Sequence, residues 1–132
     1  MKTILILLFG ALTTHAQLAV TVSPPKIAGQ KAVVPLTMKN NLTDKIESAR
    51  AVVFLLDEQG KMVGQKTDWV IGGRKERPAL ASSKETTYNF VITAYRPLTS
   101  TNLTTKISVS RLILEGGKIA DVNKDVQIQN AK

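Results

Sequence analysis

The chain has 132 residues, no cysteine and one histidine, and its 18 Lys and Arg outnumber its 10 Asp and Glu, for a net charge of +8. The histidine, His15, falls in a predicted leader, so the mature chain lacks the imidazole and thiol groups of most general bases, nucleophiles and zinc or copper sites. We expect no catalytic residue, cofactor or metal; a carboxylate pair or a serine–lysine dyad is the enzyme chemistry left open.

The first 16 residues have the order of an export signal. Lys2 gives a positive start, residues 4–12 are apolar and uncharged, and small residues stand three and one positions before a cleavage site after Ala16. The apolar run is about half the length that spans a bilayer. The prediction is a signal peptide over 1–16, a mature domain over 17–132 in the periplasm or secreted, and no membrane span after cleavage.

Seven apolar runs follow, each bounded by proline, glycine, asparagine or charged turns. They predict strands over residues 18–22, 32–38, 46–56, 62–71, 86–93, 105–114 and 119–128. The run at 46–56 is apolar on both faces, which favours a central strand. Residues 57–60 predict a hairpin loop with glycine at positive φ. Pro35 indicates a strand that bends or lies near a sheet edge, and the edge is favoured. Arg111 interrupts an alternation in the way that a bulge or a two-sided strand would explain.

This pattern predicts an all-β fold, an antiparallel two-sheet immunoglobulin-like sandwich of about seven strands, with a small barrel as the alternative. Parity places Tyr88, Phe90 and Ile92 inward. The last strand is expected at a sheet edge, where a partner peptide could add a strand.

Residues 53–57, Val-Phe-Leu-Leu-Asp, followed by a glycine turn and a valine-bearing return strand, resemble the FxLYD-type group of bacterial exported immunoglobulin-like domains. Leu55 and Asp57 match the pattern of that group, whereas Val53 stands at its Phe and Leu56 at its Tyr. The resemblance implies an immunoglobulin-like fold outside the cytoplasm, and it implies no catalytic residues.

Three cations follow a glycine pair in the loop after the fourth run, and they are the candidate binding residues: Arg74, Lys75 and Arg77, with Trp69 beside them. Cations on a loop could grip an anionic surface polymer or an envelope protein. The alternatives are a solvated loop and a core tryptophan. An exported basic chain is not expected to meet nucleic acid.

We therefore expect a non-catalytic, exported interaction or structural module. The alternative is a carbohydrate- or cell-wall-binding accessory domain, which requires Trp69 to present an exposed aromatic face.

Residues 121–125, Asp-x-Asn-x-Asp, resemble the start of a calcium loop but lack its glycine and its twelfth-position glutamate. On the predicted last strand they would place three polar side chains on one solvent face, with no metal. Asn41 and Asn102 each begin a glycosylation sequon. If the host does not glycosylate exported proteins, these asparagines are turn residues.

Overall fold

The structure is a computed structural model that describes residues 16–75, 77–99 and 102–131. The predicted signal peptide lies outside the described residues apart from Ala16. The strands are β1 (Leu18–Val22), β2 (Lys26–Ala28), β3 (Lys31–Asn40), β4 (Ile46–Leu56), β5 (Met62–Ile71), β6 (Glu85–Thr93), β7 (Thr104–Leu114), β8 (Lys118–Ile119) and β9 (Val126–Asn130), with one 3₁₀ turn at Glu115–Gly117. No helix in the described ranges has the length and apolarity to cross a membrane.

The strands form two facing sheets. The first has the order β2-β3-β1-β9, with β6 also paired to β3, and the second has the order β5-β4-β7-β8. Every pair of neighbouring strands is antiparallel except β1 and β9, which run parallel. The predicted all-β, two-sheet sandwich is confirmed, with nine strands in the described part of the chain where about seven were expected.

The core lies between the sheets and is built by period-two alternation. On β1, on β3 and on β4 from Ala49 onward every second residue is buried; the set includes Val20, Leu36, Val53 and Leu55. On β6, Phe90 and Ile92 are fully buried as predicted. Each such aliphatic or aromatic side chain removed from water stabilises the fold by about 1.5–3 kcal/mol.

The prediction that Pro35 marks an edge strand is wrong, because β3 lies between β1 and β6. The carbonyl of Pro35 accepts the N–H of Ser23 at 2.9 Å. In an antiparallel ladder the N–H and C=O of one residue point to the same side. The missing N–H of Pro35 therefore faces the break between β1 and β2, at Pro24 and Pro25, where no continuous ladder needs a donor.

The predicted last strand is divided in two. After pairing with β7, β8 ends in a turn, and β9 crosses to the other sheet to lie beside β1 at its edge. Within the turn, Asp121 Oδ1 accepts the N–H of Asn123 at 2.9 Å, and Asp125 Oδ2 accepts the N–H of Asp121 at 3.1 Å. These side chains cap a turn rather than line a strand face. No group of three metal-ligating side chains occurs in the described part of the chain.

Candidate functional site

Two of the three predicted loop cations converge on one carboxylate. Arg74 Nη2 lies 2.9 Å from Asp68 Oδ1, and Arg77 Nη2 lies 4.0 Å from Asp68 Oδ2. Lys75 is exposed. Anion binding by the three cations stays a prediction, and the structure adds that Arg74 and Arg77 already share Asp68.

Asp68 lies on the interior side of β5 and exposes only 9% of its surface. Burial by itself raises the pKa of Asp68. Three effects oppose burial: a 2.6 Å hydrogen bond donated by Tyr88 Oη, a 2.8 Å hydrogen bond from the N–H of Trp69, and the charges of Arg74 and Arg77. Together they outweigh burial and lower the pKa of Asp68. Because these groups favour its charged form, Asp68 is an ionised anchor for the loop.

Tyr88 is half-buried at the margin of the sandwich rather than in its centre. Burial and the hydrogen bond to Asp68 raise the pKa of Tyr88, so its hydroxyl stays a donor. The Arg77 guanidinium carbon lies 4.1 Å from the Tyr88 ring centroid, and the ring of Phe90 meets that of Tyr88 edge-on at 5.1 Å. Arg77 therefore closes the β5–β6 side of the fold through stacking and charge together.

Trp69 lies on the opposite side of β5, on the outer face of the four-stranded sheet. It is half-buried, and the Arg50 guanidinium carbon lies 5.9 Å from its ring centroid. The backbone of Gly73 lies against the ring, because a Cβ at Gly73 would stand 2.4 Å from Trp69 Cδ2. Trp69 is thus seated among neighbours, and little of the ring is left as a stacking surface.

A bulge places Arg111 beside Arg50. The register of β4 against β7 shifts between Arg50 and Ala51, which leaves Ser110 as the extra residue, and Ser110 Oγ donates to the Arg50 carbonyl at 3.3 Å. The predicted bulge is confirmed. Arg111 consequently faces outward opposite Arg50, while Leu112 is buried. Like charges placed directly opposite each other across two strands are destabilising.

Four cross-strand rows make up the part of this sheet that we call the outer face. They are Trp69–Arg50–Arg111, Thr67–Val52–Ser108, Gln65–Phe54–Lys106 and Met62–Leu56–Thr104. The three cations are exposed, the apolar stripe Val52, Phe54 and Leu56 is half-buried, and none of the twelve residues is a carboxylate. Glu47, further along β4, turns away to accept the N–H of Gly116 at 3.3 Å.

Sequence reasoning missed Arg50 and Lys106 as members of this surface. Residues 46–56 were interpreted as a central strand because the run is apolar on both faces, and β4 does lie between β5 and β7. Only the inward set of β4 is buried, so its outward residues stay accessible. The available signal was the outward parity of Lys106 in β7, together with a bulge that returns Arg111 to the same face.

Neither a family model nor a curated protein matches this chain. The resemblance to FxLYD-type domains stays a prediction.

Proposed function

We propose that this chain is a non-catalytic, extracytoplasmic interaction module that docks an acidic partner protein on the outer face of its four-stranded sheet. The observation that carries the proposal is the combination of three exposed cations, Arg50, Lys106 and Arg111, with an apolar stripe and no carboxylate in the same rows. The extracytoplasmic location is supported by the signal pattern of residues 1–16.

The pair Arg50 and Arg111 fits a carboxylate from a partner. Two guanidinium groups held on adjacent strands repel each other, and an anion between them relieves that repulsion while accepting charge-assisted hydrogen bonds. Trp69 limits the freedom of Arg50 on its other side. Less side-chain entropy is then lost on binding, which favours affinity.

The apolar stripe favours a protein over a charged polymer. Val52, Phe54 and Leu56 are partly accessible in the middle of the outer face. The cations lie at one end of this stripe and on its β7 side, and the other flanking residues are mostly polar. A protein interface has this arrangement, an apolar centre inside a polar rim. An anionic polysaccharide would contact only the cations and would leave the apolar stripe unused.

The experiment is a pull-down from the native cell envelope at low and high salt, followed by titration of the purified partner against two double variants. R50A/R111A should weaken the affinity about 10-fold or more, because it removes two of the three charges that face the partner. K31A/K39A is the matched control: it removes the same charge from exposed positions of β3 in the other sheet and should bind normally.

Equal losses in both double variants would overturn the proposal in favour of general charge attraction. A loss of affinity confined to the triple variant R74A/K75A/R77A would show that the partner binds the loop cations instead of the outer face. Retention of an anionic polysaccharide without any protein partner would indicate the polymer. Saturable quenching of Trp69 fluorescence by a neutral oligosaccharide would favour a carbohydrate-binding accessory domain.

A further inference from the structure

A concave site lies at the end of the sandwich, where the β4–β5 hairpin meets the segment after β6. The pocket has a volume of about 390 Å³, within the range of sites for small molecules. Six apolar or aromatic residues line it: Met62, Val63, Tyr95, Pro97, Leu98 and Leu103. Its charged lining is Asp57, Lys61 and Arg96.

The hairpin wall of the pocket is held by its own hydrogen bonds. Asp57 Oδ1 accepts the N–H groups of Gln59 and Lys61, both at 2.9 Å, and the N–H of Asp57 donates to the Lys61 carbonyl at 2.9 Å. Gly60 has φ 80°, which confirms the predicted hairpin glycine. The Asp57 carboxylate is therefore used within the turn, and the wall is formed before any ligand arrives.

The opposite wall is fixed to both sheets. The N–H of Tyr95 donates to the Val63 carbonyl at 2.9 Å, and the N–H of Ala94 donates to the Gln30 carbonyl at 2.8 Å. The side-chain amide of Gln30 donates back to the Ala94 carbonyl at 2.8 Å. A preformed pocket loses less free energy in ordering itself when it binds.

The floor is apolar and the mouth carries an exposed aromatic ring. Leu103 is buried in a small cluster with Leu55, and Val63 and Leu98 pack against that cluster. At the mouth Tyr95 is 57% exposed, beside Met62 at 40%. Large apolar side chains gathered around a concave surface are typical of a ligand site.

We propose that this pocket binds a small amphipathic carboxylate. The apolar body of the ligand lies on the floor against the Tyr95 ring, and its carboxylate is held by Lys61 and Arg96, which are exposed at the same pocket. The charged lining favours an anion, because its two cations outnumber its one carboxylate and Oδ1 of that Asp57 carboxylate already accepts two N–H groups of its own loop. The pocket adjoins the outer face at Met62, but this inference does not depend on the proposed docking function.

The test titrates the purified protein with octanoate, 1-octanol and acetate while the backbone amide resonances are followed by NMR. Octanoate should shift the resonances of residues 61–63 and 95–98 saturably. Octanol should bind at least about 3-fold more weakly, since it lacks the charge, and acetate should cause no saturable shift because it lacks the apolar body. An N-acetylated dipeptide ending in a free leucine carboxylate, and its amide, form a second arm; the tighter of octanoate and the peptide acid identifies the source of the carboxylate.

Variants separate the contribution of the two cations from that of the Tyr95 ring. K61A/R96A should weaken octanoate binding about 3- to 10-fold. Octanol binding should be unchanged in this variant, and that result also shows that the pocket is folded. Y95A should weaken both probes by a similar factor, whereas I119A removes an exposed apolar side chain elsewhere and should change neither. The proposal is overturned if octanoate shifts no resonances, if octanol binds as tightly as octanoate, or if K61A/R96A binds octanoate like the parent. R50A/R111A should bind octanoate normally, so failure of one proposal is distinguishable from failure of the other.

Discussion

The hydroxyl of Tyr88 donates a 2.6 Å hydrogen bond to Oδ2 of Asp68 and joins the edge strand β6 of one sheet to the edge strand β5 of the other. No backbone ladder connects these two strands. Arg74 and Arg77 reach the same carboxylate from the intervening loop. This side of the sandwich is therefore closed by a polar contact, and its strength depends on the charge of Asp68.

Replacing Tyr88 with Phe should lower the free energy of unfolding by about 1.5–3 kcal/mol, because a buried carboxylate loses a charge-assisted hydrogen bond. Urea unfolding at neutral pH measures the change. Tyr95→Phe is the matched control, since Tyr95 is 57% exposed, and its stability should stay within about 0.5 kcal/mol of the parent. Equal effects in the two variants would show that the Asp68 contact contributes little.

Acid should weaken the fold through Asp68. Its pKa in the folded state lies below the value of about 3.9 for an unfolded chain. Its contribution is therefore fully present above that unfolded value and is lost as the pH falls through the folded-state pKa. Asp68→Asn should be less stable at neutral pH and should lose less further stability between about pH 5 and pH 2. Urea midpoints across that range measure how steeply stability depends on pH. The control Glu85→Gln replaces an exposed carboxylate, and its pH dependence should stay close to that of the parent.

Gly73→Ala should disturb the seat of Trp69. Gly73 has φ 74° and a Cβ there would enter the indole ring, whereas Gly117 has φ 80° with no atom within 4 Å of its Cβ position. Both variants carry the left-handed backbone cost of about 1–2 kcal/mol. Only the Gly73→Ala variant should lose more stability than this backbone cost, and its Trp69 fluorescence emission should move to longer wavelength. An unchanged emission spectrum would contradict the contact.

Asn40→Ala should destabilise the turn after β3. Asn40 is fully buried; its Nδ2 donates to the carbonyls of Asp44 and Leu80, and its Oδ1 accepts the N–H of Leu42, all at 3.0 Å. Removing the amide takes away three hydrogen bonds, one of them buried, at a cost of about 1–3 kcal/mol. Thermal unfolding beside the exposed neighbour variant Asn41→Ala separates the buried amide from general turn propensity; matching melting temperatures would refute the assignment.

The amino-acid sequence by itself determined the strands whose signals are local. The predicted runs 46–56 and 62–71 coincide with β4 and β5 end to end, and the glycine turn between them has the expected positive φ at Gly60. Alternation and turn chemistry act between residues a few positions apart. The bulge at Arg111 is readable for the same reason, since it appears as a break in alternation.

Only the tertiary structure decided which distant groups meet. It placed β9 beside β1, brought Tyr88 to Asp68, and set Arg50 opposite Arg111 on an uncovered face. These contacts depend on the pairing and packing of two sheets, and a hydrophobic pattern specifies that a residue is outward without specifying its neighbour. The pocket around Tyr95 arises in the same way, because its walls come from two segments that the fold brings together.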